Sequence, residues 1–207
     1  MIKKALSFLL VMLTATLSIA QSHAEKYIDK VIAQIEKAPG IEANFKIESL
    51  NRKGILMEGT IKIEGKKFYI ETADLITWYD GKTMWSYIPG VEEVNITEPT
   101  AQEIAEVNPM LILGSYIDSF RIKEQPSKKR EERIFTLTPT KRNLRFNEIT
   151  LTIATANMAP VLFQIIDRNN NTTNVTIEQF DKDITHPQST FTFVHRNYPR
   201  ATIVDLR

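Results

Sequence analysis

Ile76-Thr77-Trp78-Tyr79-Asp80-Gly81-Lys82-Thr83-Met84-Trp85-Ser86-Tyr87 decides the fold. Two short runs of β-branched and aromatic residues flank Asp-Gly, the strongest short hairpin signal, because a type I′ turn needs positive φ at both central residues. Two antiparallel strands joined at Asp80-Gly81 are therefore expected. Pro89-Gly90 fits a type II turn behind them, with proline fixing φ and glycine taking the positive value, and leads into a strand over 91–96.

The same two-residue period extends in both directions. Upstream, Ile41, Ala43, Phe45 and Ile47 alternate with Glu42, Asn44, Lys46 and Glu48. Met57, Gly59, Ile61 and Ile63 alternate with Glu58, Thr60, Lys62 and Glu64 beyond a polar turn at 51–54. Such alternation buries one face of a strand. Gly65 then turns the chain into Phe68-Tyr69-Ile70-Glu71. Downstream, strands are expected over 120–123, 133–138, 146–153, 160–168, 172–180 and 190–194, with 125–132 and 169–171 as hairpin loops.

Two segments switch to the helical period. Ile28, Val31, Ile32 and Ile35 form one apolar stripe within 25–38, which Pro39-Gly40 ends. Thr100-Ala101-Gln102-Glu103 is a capping-box sequence, and Asn108-Pro109 reads as an N-cap with proline at the first helical position. The helix it opens, 110–117, is apolar on nearly every side and must be buried or touch something apolar.

The sum is a mainly β (α+β) fold of roughly ten antiparallel strands, apolar on one face, with short helices to cover that face. Helices of about fourteen and ten residues are small for so large a sheet. Either the sheet closes on itself and fills, or a cavity remains.

Residues 1–24 read as a cleavable export signal: Lys3 and Lys4, then an apolar run over 5–20, then small residues that permit cleavage after Ala20 or Ala24. The run is shorter than the ~20 residues a spanning helix needs. One domain is expected over 25–207. With Lys3 and Lys4 removed, the remaining chain is near neutral, which argues against nucleic-acid binding through a basic face. The chain has no cysteine, hence no lipid-modified thiol, disulfide framework or thiolate metal site.

Catalytic signals are lacking. His186 and His195, nine residues apart without a neighbouring acid at ligand spacing, read as turn or surface histidines, so no metal is expected. No nucleophile elbow, phosphate loop or zinc-protease helix occurs. Asp80, Glu92 and Glu93 sit beside turns, where solvated carboxylates are the default. No enzyme and no cofactor are expected.

Several segments in order resemble the LolA family of periplasmic carriers of outer-membrane lipoproteins. Gly40-Ile41-Glu42-Ala43-Asn44-Phe45 resembles the family's opening strand, and Met57-Glu58-Gly59-Thr60-Ile61-Lys62-Ile63 its second strand. Asp80-Gly81-Lys82-Thr83-Met84-Trp85-Ser86-Tyr87-Ile88-Pro89 resembles its most distinctive hairpin, and Asn108-Pro109-Met110-Leu111-Ile112-Leu113 its following helix. Phe191-Thr192-Phe193 and Val204-Asp205-Leu206 are similar to its closing strand and tail. The resemblance implies an open antiparallel half-barrel whose concave face, lidded by helices, holds the acyl chains of a lipoprotein. It also implies an inner-membrane lipoprotein-releasing ABC transporter as donor and an outer-membrane acceptor, with the carrier expected as a monomer in the periplasm.

In well-known family members the second strand runs into a Lys-Arg-Pro turn whose arginine helps to hold the lid shut. Here Ile63-Glu64-Gly65-Lys66-Lys67-Phe68 is one residue shorter and has neither arginine nor proline. No residue inherits that role. Cavity-wall candidates, taken as inward positions, are Phe45, Ile47, Ile61, Ile63, Phe68, Ile70, Trp85, Tyr87 and Leu111. Lid candidates are Met110, Leu111, Leu113, Gly114 and Ile117. A lipid- or lipoprotein-sensing regulatory domain on the same half-barrel is the alternative function; an envelope-polymer hydrolase would need convergent carboxylates at a cleft.

Overall fold

The computed structural model describes residues 22–51, 54–101, 103–104, 117–141, 144 and 146–207. Helix α1 (His23–Lys37) opens on a complete capping box: Ser22 Oγ accepts from Glu25 N at 3.1 Å, and Glu25 Oε2 accepts from Ser22 N at 2.7 Å. Both are donors that no intrahelical carbonyl can satisfy. The expected stripe is the buried one. Ile28 and Val31 are fully enclosed, and Ile32 and Ile35 pack partly buried on the same core. The helix starts two residues earlier than the sequence reading placed it, so Ala24 is a buried helical residue.

Among the described residues twelve strands follow rather than roughly ten: β1 (Ile41–Ser49), β2 (Ile55–Glu64), β3 (Lys67–Thr72), β4 (Ile76–Tyr79), β5 (Met84–Ile88), β6 (Glu93–Thr97), β7 (Phe120–Gln125), β8 (Glu132–Pro139), β9 (Phe146–Ala154), β10 (Pro160–Asp167), β11 (Thr172–Lys182) and β12 (Thr202–Asp205). They form one sheet ordered β12-β6-β5-β4-β3-β2-β1-β11-β10-β9-β8-β7. Two antiparallel meanders are joined by the β1–β11 pair, and β12 adds to β6 in parallel. The edge strands β7 and β12 do not pair with one another, so the barrel stays open. No helix among the described residues is long and apolar enough to cross a membrane.

Three expected local structures are corrected. The hairpin at Asp80 forms, but its centre is Gly81-Lys82. Asp80 N donates to Thr83 O at 3.2 Å, and of these residues Gly81 alone has positive φ, +104°. Glycine at the first central position is the type II′ requirement. Asp80 Oδ1 accepts from Lys82 N and Thr83 N at 2.9 and 2.8 Å, which holds the loop. Pro89–Val91 is a single 3-10 turn, and Glu92 rather than Gly90 takes the left-handed conformation, φ +52°. The strand expected over 190–194 is absent. Gln188–Phe191 is a 3-10 turn, and the closing strand is β12.

The register divides the sheet into faces. Ile41, Ile63, Phe68, Tyr79, Met84 and Thr97 lie opposite one another across β1 to β6. In the other half, Phe135, Leu151, Phe163, Val175 and Ile47 make an equivalent row. Tyr27 of α1 stacks on Phe135 with ring centroids 5.4 Å apart, so these rows line the concave, helix-covered face.

On the opposite face, the segment after β11 crosses β3 and β4. Phe191 is fully buried there. Trp78 is enclosed by Tyr69, Phe193 and Tyr198, with centroid distances of 5.7, 5.5 and 5.5 Å. His186 is buried, contrary to its reading as a turn or surface residue; its Nε2 donates to Ile41 O at 3.1 Å, and its ring meets Phe191 edge-on. Gly40 permits this crossing, because a Cβ there would collide with Ile184 O and reach 2.8 Å from His186 Cδ2.

Candidate functional site

The concave face of β1 to β5 is the candidate site. Phe45, Ile61, Ile63, Phe68 and Ile70 all belong to its buried cluster, and Ile47 packs on it partly exposed. Across the two central rows, Ile41-Ile63-Phe68-Tyr79-Met84-Thr97 and Ala43-Ile61-Ile70-Thr77-Ser86-Asn95, no side chain carries a charge. Burial, helped by the neighbouring Asp80 carboxylate, pushes the Tyr79 phenol above its ordinary value, so it too stays neutral. The surface is suited to hydrocarbon and carries no acid–base pair.

Trp85 and Tyr87 are not part of it. Trp85 pairs with Trp78, and Tyr87 with Ile76, so both point to the opposite face, where Tyr87 meets Tyr198 at 4.7 Å. The sequence could not fix this parity. Ile76-Thr77-Trp78-Tyr79 is suited to burial on both sides and has no alternation. Tyr79 and Met84 hold the concave positions that Trp85 and Tyr87 were expected to fill, and Thr97 ends their row. On the opposite face, burial, with Glu71 beside it, raises the Tyr69 phenol, which donates to Glu71 Oε2 at 2.7 Å.

Of the lid candidates, Met110, Leu111, Leu113 and Gly114 lie outside the described residues; Ile117 packs against the core. The expected capping box is present. Thr100 N donates to Glu103 Oε2 at 2.8 Å and Glu103 N to Thr100 Oγ1 at 3.3 Å, so a helical turn starts there, and Ile104 beyond it also meets the core.

Helix α1 covers the other half of the concave face. Its Gln34 Nε2 donates to Asn157 O in the β9–β10 turn at 2.8 Å, and Tyr27 packs against both Phe135 and Arg133. The Arg133 guanidinium carbon is 3.7 Å from the Tyr27 ring centroid. Its Nε and Nη2 donate to the two carboxylate oxygens of Glu124 at 2.8 and 2.7 Å. These bonds hold the Glu124 carboxyl below its ordinary value. The turn at Gly65, which lacks the family's arginine, is tied elsewhere: Lys67 Nζ bonds both Glu64 Oε1 and Gln188 Oε1 at 3.0 Å.

No group of three or more His, Asp or Glu side chains that could hold a metal occurs among the described residues. The family model for the outer membrane lipoprotein carrier protein LolA matches residues 14–171.

The chain belongs to this family.

No curated protein matches this LolA family member in sequence. Among solved structures, an uncharacterized conserved protein from Thermus thermophilus is 12% identical with a TM-score of 0.61. The match covers 89% of this chain and 99% of that one, and the two share a fold. A LolA superfamily protein from Nitrosomonas europaea is 10% identical with a TM-score of 0.44, over 82% of this chain and 97% of that one. In the Pseudomonas aeruginosa MucA/MucB complex, the matched chain is 8% identical with a TM-score of 0.42. There the match spans 88% of this chain and 64% of that one.

Proposed function

We propose that this LolA family member is a periplasmic carrier and not an enzyme. It is exported by a cleaved leader and holds the acyl chains of a lipoprotein on the concave face. It takes them from an inner-membrane lipoprotein-releasing ABC transporter and hands them to an outer-membrane acceptor. The observation that supports this most is the uncharged row from Ile41 to Met84, which continues the core to a part-exposed end.

Burying about ten methylenes of an acyl chain there contributes ~8 kcal/mol, at about 0.8 kcal/mol for each. A ligand held so tightly leaves only where an acceptor offers a comparable apolar site. The carrier therefore needs two states, one with its own cover on the face and one with cargo.

The test is to express the chain with its leader, purify it from the periplasm and extract it for lipid. The purified protein is then incubated with spheroplasts to see whether lipoprotein is released in soluble form. Co-purifying acyl lipid and a soluble complex with one lipoprotein are expected. A clean extract with no lipoprotein released would overturn the proposal. A stable complex with an inner-membrane regulatory protein instead would favour the sensing role.

A further inference from the structure

The face of the sheet opposite the concave side carries a cleft that the carrier reading leaves unused. Its floor is a cross-strand row, Lys62 on β2, Tyr69 on β3 and Trp78 on β4, with Glu71 two residues along β3 on the same face. Its other wall is the crossing segment, which presents Thr192, Arg196, Asn197 and Tyr198. The space between them is about 370 Å³, within the roughly 300–1,000 Å³ of small-molecule sites. The upper wall is held in place. A 3-10 turn, His195–Asn197, closes with Tyr198 N donating to His195 O at 2.8 Å, and the Tyr198 ring meets both Trp78 and Tyr87.

Charge restricts what fits there. Lys62 lies 3.6 Å from Glu42, Glu71 accepts from the Tyr69 hydroxyl, and Arg196 has no ion-pair partner among the described residues. An anion would therefore meet Glu71, and a cation would meet Lys62 and Arg196. Burial, and then the Glu71 carboxylate, raises the Tyr198 phenol as it does the Tyr69 phenol, so both hydroxyls stay neutral. The polar groups offer both hydrogen-bonding roles: a carboxylate that only accepts, a guanidinium that only donates, and an amide and hydroxyls that do both. The aromatic rings add negative faces, which attract the weakly positive hydrogens of aliphatic C–H groups. An uncharged molecule dense in hydroxyls, with an aliphatic ring face, matches all of these. Fatty, phosphorylated and ammonium ligands each fail at least one.

We propose that this cleft is a binding site for a neutral saccharide, with Glu71 and Arg196 taking ring hydroxyls from opposite walls and Tyr69 and Tyr198 packing against its C–H face. The site lies across the sheet from the acyl-chain face and holds or fails independently of the carrier reading.

The test titrates the isotope-labelled protein with cellobiose, maltose and N,N′-diacetylchitobiose, and with glucuronate and choline as charged controls, followed by amide and indole NMR. At least one of the three sugars is expected to bind saturably with a Kd of about 1 mM or tighter. It should shift the Trp78 indole and the amides of 189–198 while leaving β8 to β10 unmoved. Arg196→Met and Glu71→Gln each remove a charged hydrogen-bonding group from an exposed position, so the melting temperature should hold. Each should weaken the sugar about ten-fold, the value of a hydrogen bond to a charged group. No saturable shift with any of the three sugars would overturn the site. So would wild-type affinity in either variant, shifts confined to residues outside the cleft, or tighter binding of glucuronate or choline.

Discussion

Arg133 sits over the Tyr27 ring, 3.7 Å from ring centroid to guanidinium carbon, and so ties helix α1 to strand β8. The same guanidinium is held from behind by both oxygens of Glu124 on β7. A helix resting on apolar contacts alone could slide; this clamp fixes its position at the open edge of the sheet. A cation over an aromatic face contributes about 0.5–1 kcal/mol where water can reach it, and more when desolvated. Arg133→Met should therefore lower stability by about 1–2 kcal/mol in urea titrations. Amide exchange should quicken in α1 before it quickens in β8 and β9. Uniform quickening across the sheet would show that the clamp acts on the whole fold instead.

The Glu124 carboxyl has a lowered folded-state pKa, so its contribution is fully present above the unfolded value near 4.5 and is lost as pH falls through the folded one. Wild type and Glu124→Gln should differ by a constant amount at neutral pH. The difference should shrink only in acid, below about pH 4.5. Melting temperatures across a pH series will show it, and a gap that stays undiminished far into acid would contradict the assignment. Exposure of this pair to salt keeps the effect small.

Trp78 and Trp85 are the chain's two tryptophans, and both face away from the concave side. Acyl chains carrying bromine or a nitroxide at mid-chain quench only on close contact. They should therefore leave intrinsic fluorescence almost unchanged when bound, while lowering the emission of a Phe45→Trp variant by up to about a third, because one of its three tryptophans would then face the cargo. Strong quenching of the wild-type protein would put the cargo on the other face. By the same geometry, Tyr87→Ala should cost about 2–3 kcal/mol of stability through its lost contact with Tyr198, without reducing acyl binding.

The period-two runs of β1 to β3 were legible because each has one buried face, so Ile41 to Ile47, Ile61, Ile63, Phe68 and Ile70 could be placed from alternation alone. Beyond them the signal failed for a physical reason. Once the 183–201 segment covers the far side of β4 and β5, Trp78 and Tyr79 are both buried, and a strand enclosed on both faces has no parity to read. Phe191 and Phe193 looked like a strand because they alternate with Thr190 and Thr192. Pro187 and the crossing over Gly40 make that stretch an irregular cover instead. The parallel pairing of β12 needs a return across the whole face, and no local pattern encodes that. Gly40 itself marked only a helix end in sequence. Gly40→Ala should cost several kcal/mol, because the obstacles are a carbonyl oxygen and an enclosed ring that cannot step aside.

The sequence permits leader cleavage after Ala20 or Ala24, and the helix N-terminus discriminates between them. Cleavage after Ala24 would remove Ser22, whose hydroxyl and amide make both halves of the capping box with Glu25, and would remove the buried Ala24. Loss of a serine cap alone costs about 1 kcal/mol. It would also leave a new positive amino group at the positive end of the helix dipole, an unfavourable place for it. Cleavage after Ala20 keeps the cap intact and leaves Gln21 as the first residue. On the proposed export, intact-mass measurement of protein purified from the periplasm should therefore give a chain starting at Gln21, and Ser22→Ala should lower its stability by about 1 kcal/mol. A mature chain starting at Glu25 would mean that α1 forms without its cap, and the stability change in Ser22→Ala would then vanish with the residue itself.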